Sequence, residues 1–178
     1  MQSKLPHAQE ISMLPLGLDS KVFFGDVAVT LAAELEETIG VVEASTFVGH
    51  VGDRLGEDFS ERYGNVLNGL PEEPRAIAEV LVDLKDRIGG CFQIERADER
   101  QIVLTNTRCP FAERVEGHPS LCMMTTHVFG RIVADALGFA RVHVAQAIAT
   151  GHDGCRVIID LERPGESDGQ VEGYEFYG

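Results

Sequence analysis

The chain has 178 residues, 44% of them hydrophobic, and its 29 acidic residues outweigh 15 basic ones for a net charge of −14. That length buries a core without disulfides, and the charge argues against direct nucleic-acid binding, which draws its affinity from Lys and Arg. The apolar run over residues 76–84 is broken by Glu79 and Asp83, so no membrane span is expected. Residues 1–18 hold one Lys and no continuous apolar stretch, unlike a signal peptide, which points to the cytoplasm.

Residues 1–20 show no period and are expected to be an irregular lead-in. Apolar residues then recur from Val22 to Ile39, and Gly40 is placed to end a helix. A second helix is predicted over about 43–63, with Phe47, Val51, Leu55 and Phe59 at steps of four. Gly49, Gly52 and Gly56 on the same helix suit close packing against a neighbour. No strand precedes them, so they do not form a phosphate-binding loop. A third helix is expected over about 72–88, with Ile77, Val80, Leu81, Leu84 and Ile88 as its stripe and Gly89-Gly90 as its stop.

The period then shortens. Residues 91–96 and 101–107 flank a polar turn and read as a β-hairpin. A helix is predicted from Ser120 to Leu137, with Pro119 near its first turn and Gly138 after its end. Residues 140–148 and 155–161 form a second hairpin. The fold class is therefore α+β: N-terminal helices followed by ββαββ, an antiparallel sheet covered by helices. One domain over 21–162 is expected, with 163–178 a mobile acidic tail.

Four cysteines stand far apart in sequence, at Cys91, Cys109, Cys122 and Cys155. In a reducing compartment they are thiols, metal ligands or redox groups rather than structural disulfides. The predicted topology gathers them toward one edge of the sheet. Cys91 and Cys155 open strands, Cys109 follows the second strand, and Cys122 lies in the first turn of a helix. A helix start lowers a thiol's pKa, which makes Cys122 the favoured ligand or reactive group. Soft sulfur donors select zinc, copper(I) or iron–sulfur clusters, and His118 could complete the set if Cys91 does not. Against this, free cysteine often serves only as a small hydrophobe, and Cys91 is the most core-like of the four.

The remaining constellations carry less. His152, Asp153 and Cys155 sit on a tight turn where their side chains diverge, Met123 and Met124 fit core gaps, and Glu34, Glu36 and Glu37 read as a solvated helix face. No acid–base or nucleophile pair emerges, so no enzymatic activity is expected.

The segments Thr107-Arg-Cys-Pro-Phe, Gly117-His-Pro-Ser-Leu-Cys-Met-Met-Thr-Thr, Gly138-Phe-Ala-Arg-Val and Gly151-His-Asp-Gly-Cys-Arg-Val-Ile-Ile resemble the methanogen output domain family, a relative of 4-vinyl reductase domains. The resemblance spans roughly residues 27–162. The Cys109-x12-Cys122 spacing is also similar to the sensing half of Suf-type iron–sulfur repressors, although this chain shows no DNA-binding segment and has Thr at position 105. The resemblance implies a sensory or signal-output protein. An iron–sulfur cluster or zinc would be held by Cys109, Cys122 and Cys155, with Cys91 or His118 as a further ligand, and a partner signalling protein would receive the signal. A homodimer through the helical half is expected. The Cys109-Pro110 pair resembles a haem-thiolate motif, but such dipeptides are too common to carry haem. The alternative is a metal-free module of the 4-vinyl reductase type, with Phe92, Ile94, Leu104, Val128 and Ile132 walling a pocket for a small apolar ligand.

Overall fold

The computed structural model describes residues 13–163 and 172–178. Helix α1 runs Ser20–Ile39, and the Asp19 carboxylate caps it by accepting the Val22 N–H at 2.8 Å. Gly40, at φ 89°, ends α1 and leads directly into α2, Val41–Leu67. Asn68 closes α2 in the left-handed conformation. Helix α3, Pro74–Arg87, starts on proline. A 3₁₀ turn, Pro119–Leu121, feeds α4, Cys122–Leu137, and Gly138 at φ 86° stops it.

Among the described residues there are five strands: β1 (Phe92–Ala97), β2 (Gln101–Asn106), β3 (Phe139–Gln146), β4 (Cys155–Asp160) and β5 (Tyr174–Tyr177). All pair antiparallel in the order β1-β2-β4-β3-β5. The expected α+β arrangement is the observed one. The expected mobile tail over 163–178 needs correction at its end, because Tyr174–Tyr177 returns as an edge strand on β3, while residues 164–171 lie outside the described residues. Phe176 anchors it, 7% exposed, in the main core. Short alternation of this kind is masked in sequence by the surrounding Gly and acids. Of the lead-in, residues 1–12 lie outside the described residues.

The main core lies between the helices and the sheet. Ile77, Leu81 and Leu84 from α3 meet Val128, Phe129, Ile132 and Val133 from α4 over Ile102, Leu104, Val142, Val157 and Ile159. Full burial of each such side chain stabilises by about 1.5–3 kcal/mol before entropy is counted. A second, smaller core sits at the end of the sheet where β2 stops and β4 begins. It joins Val29 and Ala32 of α1 to Val115, Leu121, Ala147 and Ala149.

Helix α2 packs on α4 through its small residues. A Cβ built on Gly52 would stand 2.8 Å from His127 Cβ and 3.3 Å from the carbonyl oxygens of Met123 and Met124, so the backbones touch there. The consequence is that Phe47, Val51 and Leu55 face outward, 54%, 38% and 37% exposed. Periodicity alone favours the large apolar stripe as the buried face, but glycine's close approach has taken that place. No described helix is long and apolar enough to cross a membrane.

Candidate functional site

Three of the four cysteines open on one cavity of about 70 Å³ at the sheet end. Its lining includes Cys109, Cys122 and Cys155, the apolar side chains Phe92, Phe111, Val115, Leu121, Val144 and Val157, and the ammonium of Lys85. All four cysteines are free and partly buried.

The sheet register accounts for two of the three positions. Cys155 stands opposite Asn106 in the β2–β4 ladder. The Asn106 side chain accepts the Cys155 N–H at 2.9 Å and donates to the Arg108 carbonyl at 3.0 Å, tying the strand carrying Cys155 to the loop carrying Cys109. Asn106 is buried, so both amide contacts satisfy groups that have lost water. The third thiol, Cys122, comes from the start of α4.

Cys91 and His118 are not in the lining. Phe92, the next residue along the chain, faces the cavity, and successive residues of an extended chain point to opposite sides. His118 is held elsewhere: its Nδ1 lies 2.8 Å from a Glu36 oxygen. Among the expected pocket walls, only Phe92 lines this cavity. Leu104, Val128 and Ile132 are packed in the main core, and Ile94 borders a surface groove beside α3.

The start of α4 differs electrically from a bare helix N-terminus. Glu36 reaches in from α1, and its carboxylate accepts the Ser120 N–H at 3.0 Å while pairing with His118. An anion already occupies the position that a helix start offers. Burial works against the Glu36 carboxylate, yet hydrogen bonds from Ser120 and His118 outweigh it and hold its pKa below the usual value. The expected lowering of the Cys122 pKa is reversed. Burial, then the neighbouring Cys155 and Cys109, pushes it up to about 12. Burial also raises Cys109. Without a bound cation, burial favours the neutral thiol at Cys109 and Cys122.

Lys85 was not legible as a site residue by type, but its position was. It falls four residues after Leu81 and seven after Ala78, on the apolar stripe of α3. The structure buries it to 4% exposure, with Nζ donating to Thr125 Oγ1 at 2.8 Å. Burial depresses its pKa to about 8, and negative charge on Cys109 first, then on Cys155 and Cys122, would raise it. Glu36 follows the same logic, on the Val29–Ala32 stripe of α1. A second tie joins α1 to the cysteine loop through an ion pair between Asp26 and Arg114.

Among the described residues, no three His, Cys, Asp or Glu side chains are gathered as a single metal ion requires. The donor types do suit a thiophilic group: three soft sulfurs, an apolar surround and a buried cation line one cavity.

An antiparallel sheet covered by helices, with a cavity at one end, defines a small α+β domain. The match to the methanogen output domain 1 model spans residues 27–160, and the chain belongs to that family. The fold is similar to a solved structure described as the phenol-responsive sensory domain of the transcription activator PoxR with phenol. That likeness has a TM-score of 0.58 and 16% identity, over 80% of this chain and 75% of that one. No curated protein matches the chain.

Proposed function

We propose that this chain is a non-enzymatic sensory module in which Cys109, Cys122 and Cys155 hold a metal centre whose state is passed to a partner protein. The observation that carries the reading is the opening of three thiols, from three separate elements, on one cavity beside a buried ammonium. An iron–sulfur cluster suits the room beyond the sulfurs, which a lone zinc ion would not need. Such a cluster supplies redox- and oxygen-responsive chemistry when bound. The chain's own residues position the thiols through Asn106, exclude water with Phe92, Phe111 and Leu121, and couple the loop to α1 through Glu36 and Asp26.

Helix α1 is the route outward in this reading. Its inner side touches the cysteine loop, and its outer side carries Phe23, Phe24 and Leu31, which are 55%, 68% and 60% exposed. Together with Phe47 on α2, these residues offer an apolar surface for a homodimer or a receiving protein. The net charge of −14 favours a protein partner over nucleic acid, and the reduced thiols suit the cytoplasm.

The test is anaerobic purification followed by a visible spectrum with iron, acid-labile sulfide and zinc analysis. A brown protein with matched iron and sulfide is the expected result, and stoichiometric zinc without colour would keep the site but make it zinc-bound. A colourless, metal-free chain that also fails reconstitution sinks the proposal.

The apolar walls and the phenol named with the PoxR domain favour a second reading, a small apolar ligand in the same cavity. Calorimetric titration of the metal-free chain with phenol checks it: saturable heat that disappears when Val144 is enlarged to Phe is expected, and no heat excludes phenol-like ligands.

A further inference from the structure

We infer that Lys85 is the resident counter-cation of the cysteine centre: it does not ligate, but its ammonium matches the negative charge that three thiolates bring, so the cavity selects a net-anionic thiolate centre. The inference rests on the metal-binding reading above and concerns a residue outside the ligand set.

Lysine is almost never fully buried without a partner, yet Lys85 is 4% exposed on the inner face of α3. Among the described residues, no carboxylate lies within ion-pair distance of it. Glu36, an acid of the neighbouring second core, is already engaged with Ser120 and His118. One Lys85 N–H is taken by Thr125. The rings of Phe129 and Phe92, with centroids 5.0 and 5.7 Å from Nζ, give cation–π support, which is weaker than a full opposite charge. The groups left facing the ammonium are the thiols of Cys109, Cys122 and Cys155, which share its cavity.

The charges of the centre and the ammonium cancel. A dicationic core held by three thiolates keeps one negative charge, and one ammonium cancels it. Metal binding releases the thiol protons, so the cavity passes from one uncompensated cation to a neutral ensemble. If Lys85 served packing alone, methionine would fill the same space without the burial of a charge.

The test compares wild type with Lys85→Met and Thr125→Val, each prepared metal-free under anaerobic conditions and titrated with Co²⁺, whose thiolate bands report ligation. Melting of the metal-free forms is measured alongside. The inference expects opposite signs: K85M melts at the same or a higher temperature, yet binds Co²⁺ roughly tenfold or more weakly. T125V keeps the charge and loses less than that. Unchanged affinity in K85M overturns the inference while leaving the metal site standing. Parallel loss of folding and affinity in K85M, or a T125V loss as large as that of K85M, assigns Lys85 a structural role and overturns it too. Wild type that neither binds Co²⁺ in thiolate coordination nor takes up iron and sulfide on anaerobic reconstitution removes the metal reading and the inference together.

Discussion

The two cores of this protein are built on opposite terms. The main core holds large aliphatic and aromatic side chains, with Ile77, Leu81, Phe129, Ile132 and Ile159 at 0% exposure. The cysteine end is made of loops and helix starts, with small apolar residues, partly buried thiols, a buried ammonium and a carboxylate reaching across from α1. The first region stabilises the fold. The second accepts groups that cost stability, which natural proteins tolerate mainly where chemistry or recognition is sited.

The comparison can be broken at its strongest point by Leu81→Ala. This change should destabilise by about 2–5 kcal/mol in urea denaturation, and the folded fraction should still bind metal as wild type does. Loss of metal from folded L81A protein would mean that the two cores are not separable. A smaller effect is expected from Gly52→Val. The new side chain meets backbone carbonyls of α4, and a cost of about 1–3 kcal/mol is expected from the same denaturation measurement.

Much of the main core could be read from the chain because it obeys simple periods. The α3 stripe, the two hairpins and the Gly138 stop all follow from residue spacing. Helix α2 did not follow its apolar stripe, since Gly49, Gly52 and Gly56 let two backbones approach and drew that face inward. Strand β5 was hidden by its composition. At the site, Cys109, Cys122 and Cys155 were legible through their places at element ends, and the cavity does bring them together. Lys85 was not singled out, and Glu36, read as part of a solvated helix face, is buried against His118 and Ser120, although both fall on inward stripes. A charged residue on such a stripe is a sharper signal than the cysteine spacing itself. Burial explains why a helix start gave the wrong sign for Cys122, and the carboxylate at that helix start comes from a residue 84 positions away from Ser120.

Glu36→Gln sharpens the contrast at intermediate size. Losing the carboxylate that accepts Ser120 and pairs with His118 should cost about 1–2 kcal/mol at neutral pH. Its folded pKa is depressed below 4.5, so the contribution is complete above pH 4.5 and is lost as pH falls through the folded value. Melting curves of E36Q and wild type should therefore converge in acid. A gap that persists well below pH 4.5 would show that Glu36 acts by packing and not by charge. The smallest stability effect is expected for Cys122→Ser, within about 1 kcal/mol in the metal-free state, because the thiol there is neutral and close in size to the hydroxyl.

The central claim is that Cys109, Cys122 and Cys155 form one site and Cys91 stands outside it. Metal stoichiometry, measured side by side on anaerobically reconstituted wild type, Cys91→Ser and Cys155→Ser, tests this most directly. The account predicts one centre per chain in wild type and in C91S, and none in C155S. Equal metal in C155S and wild type, or its loss from C91S, would contradict it.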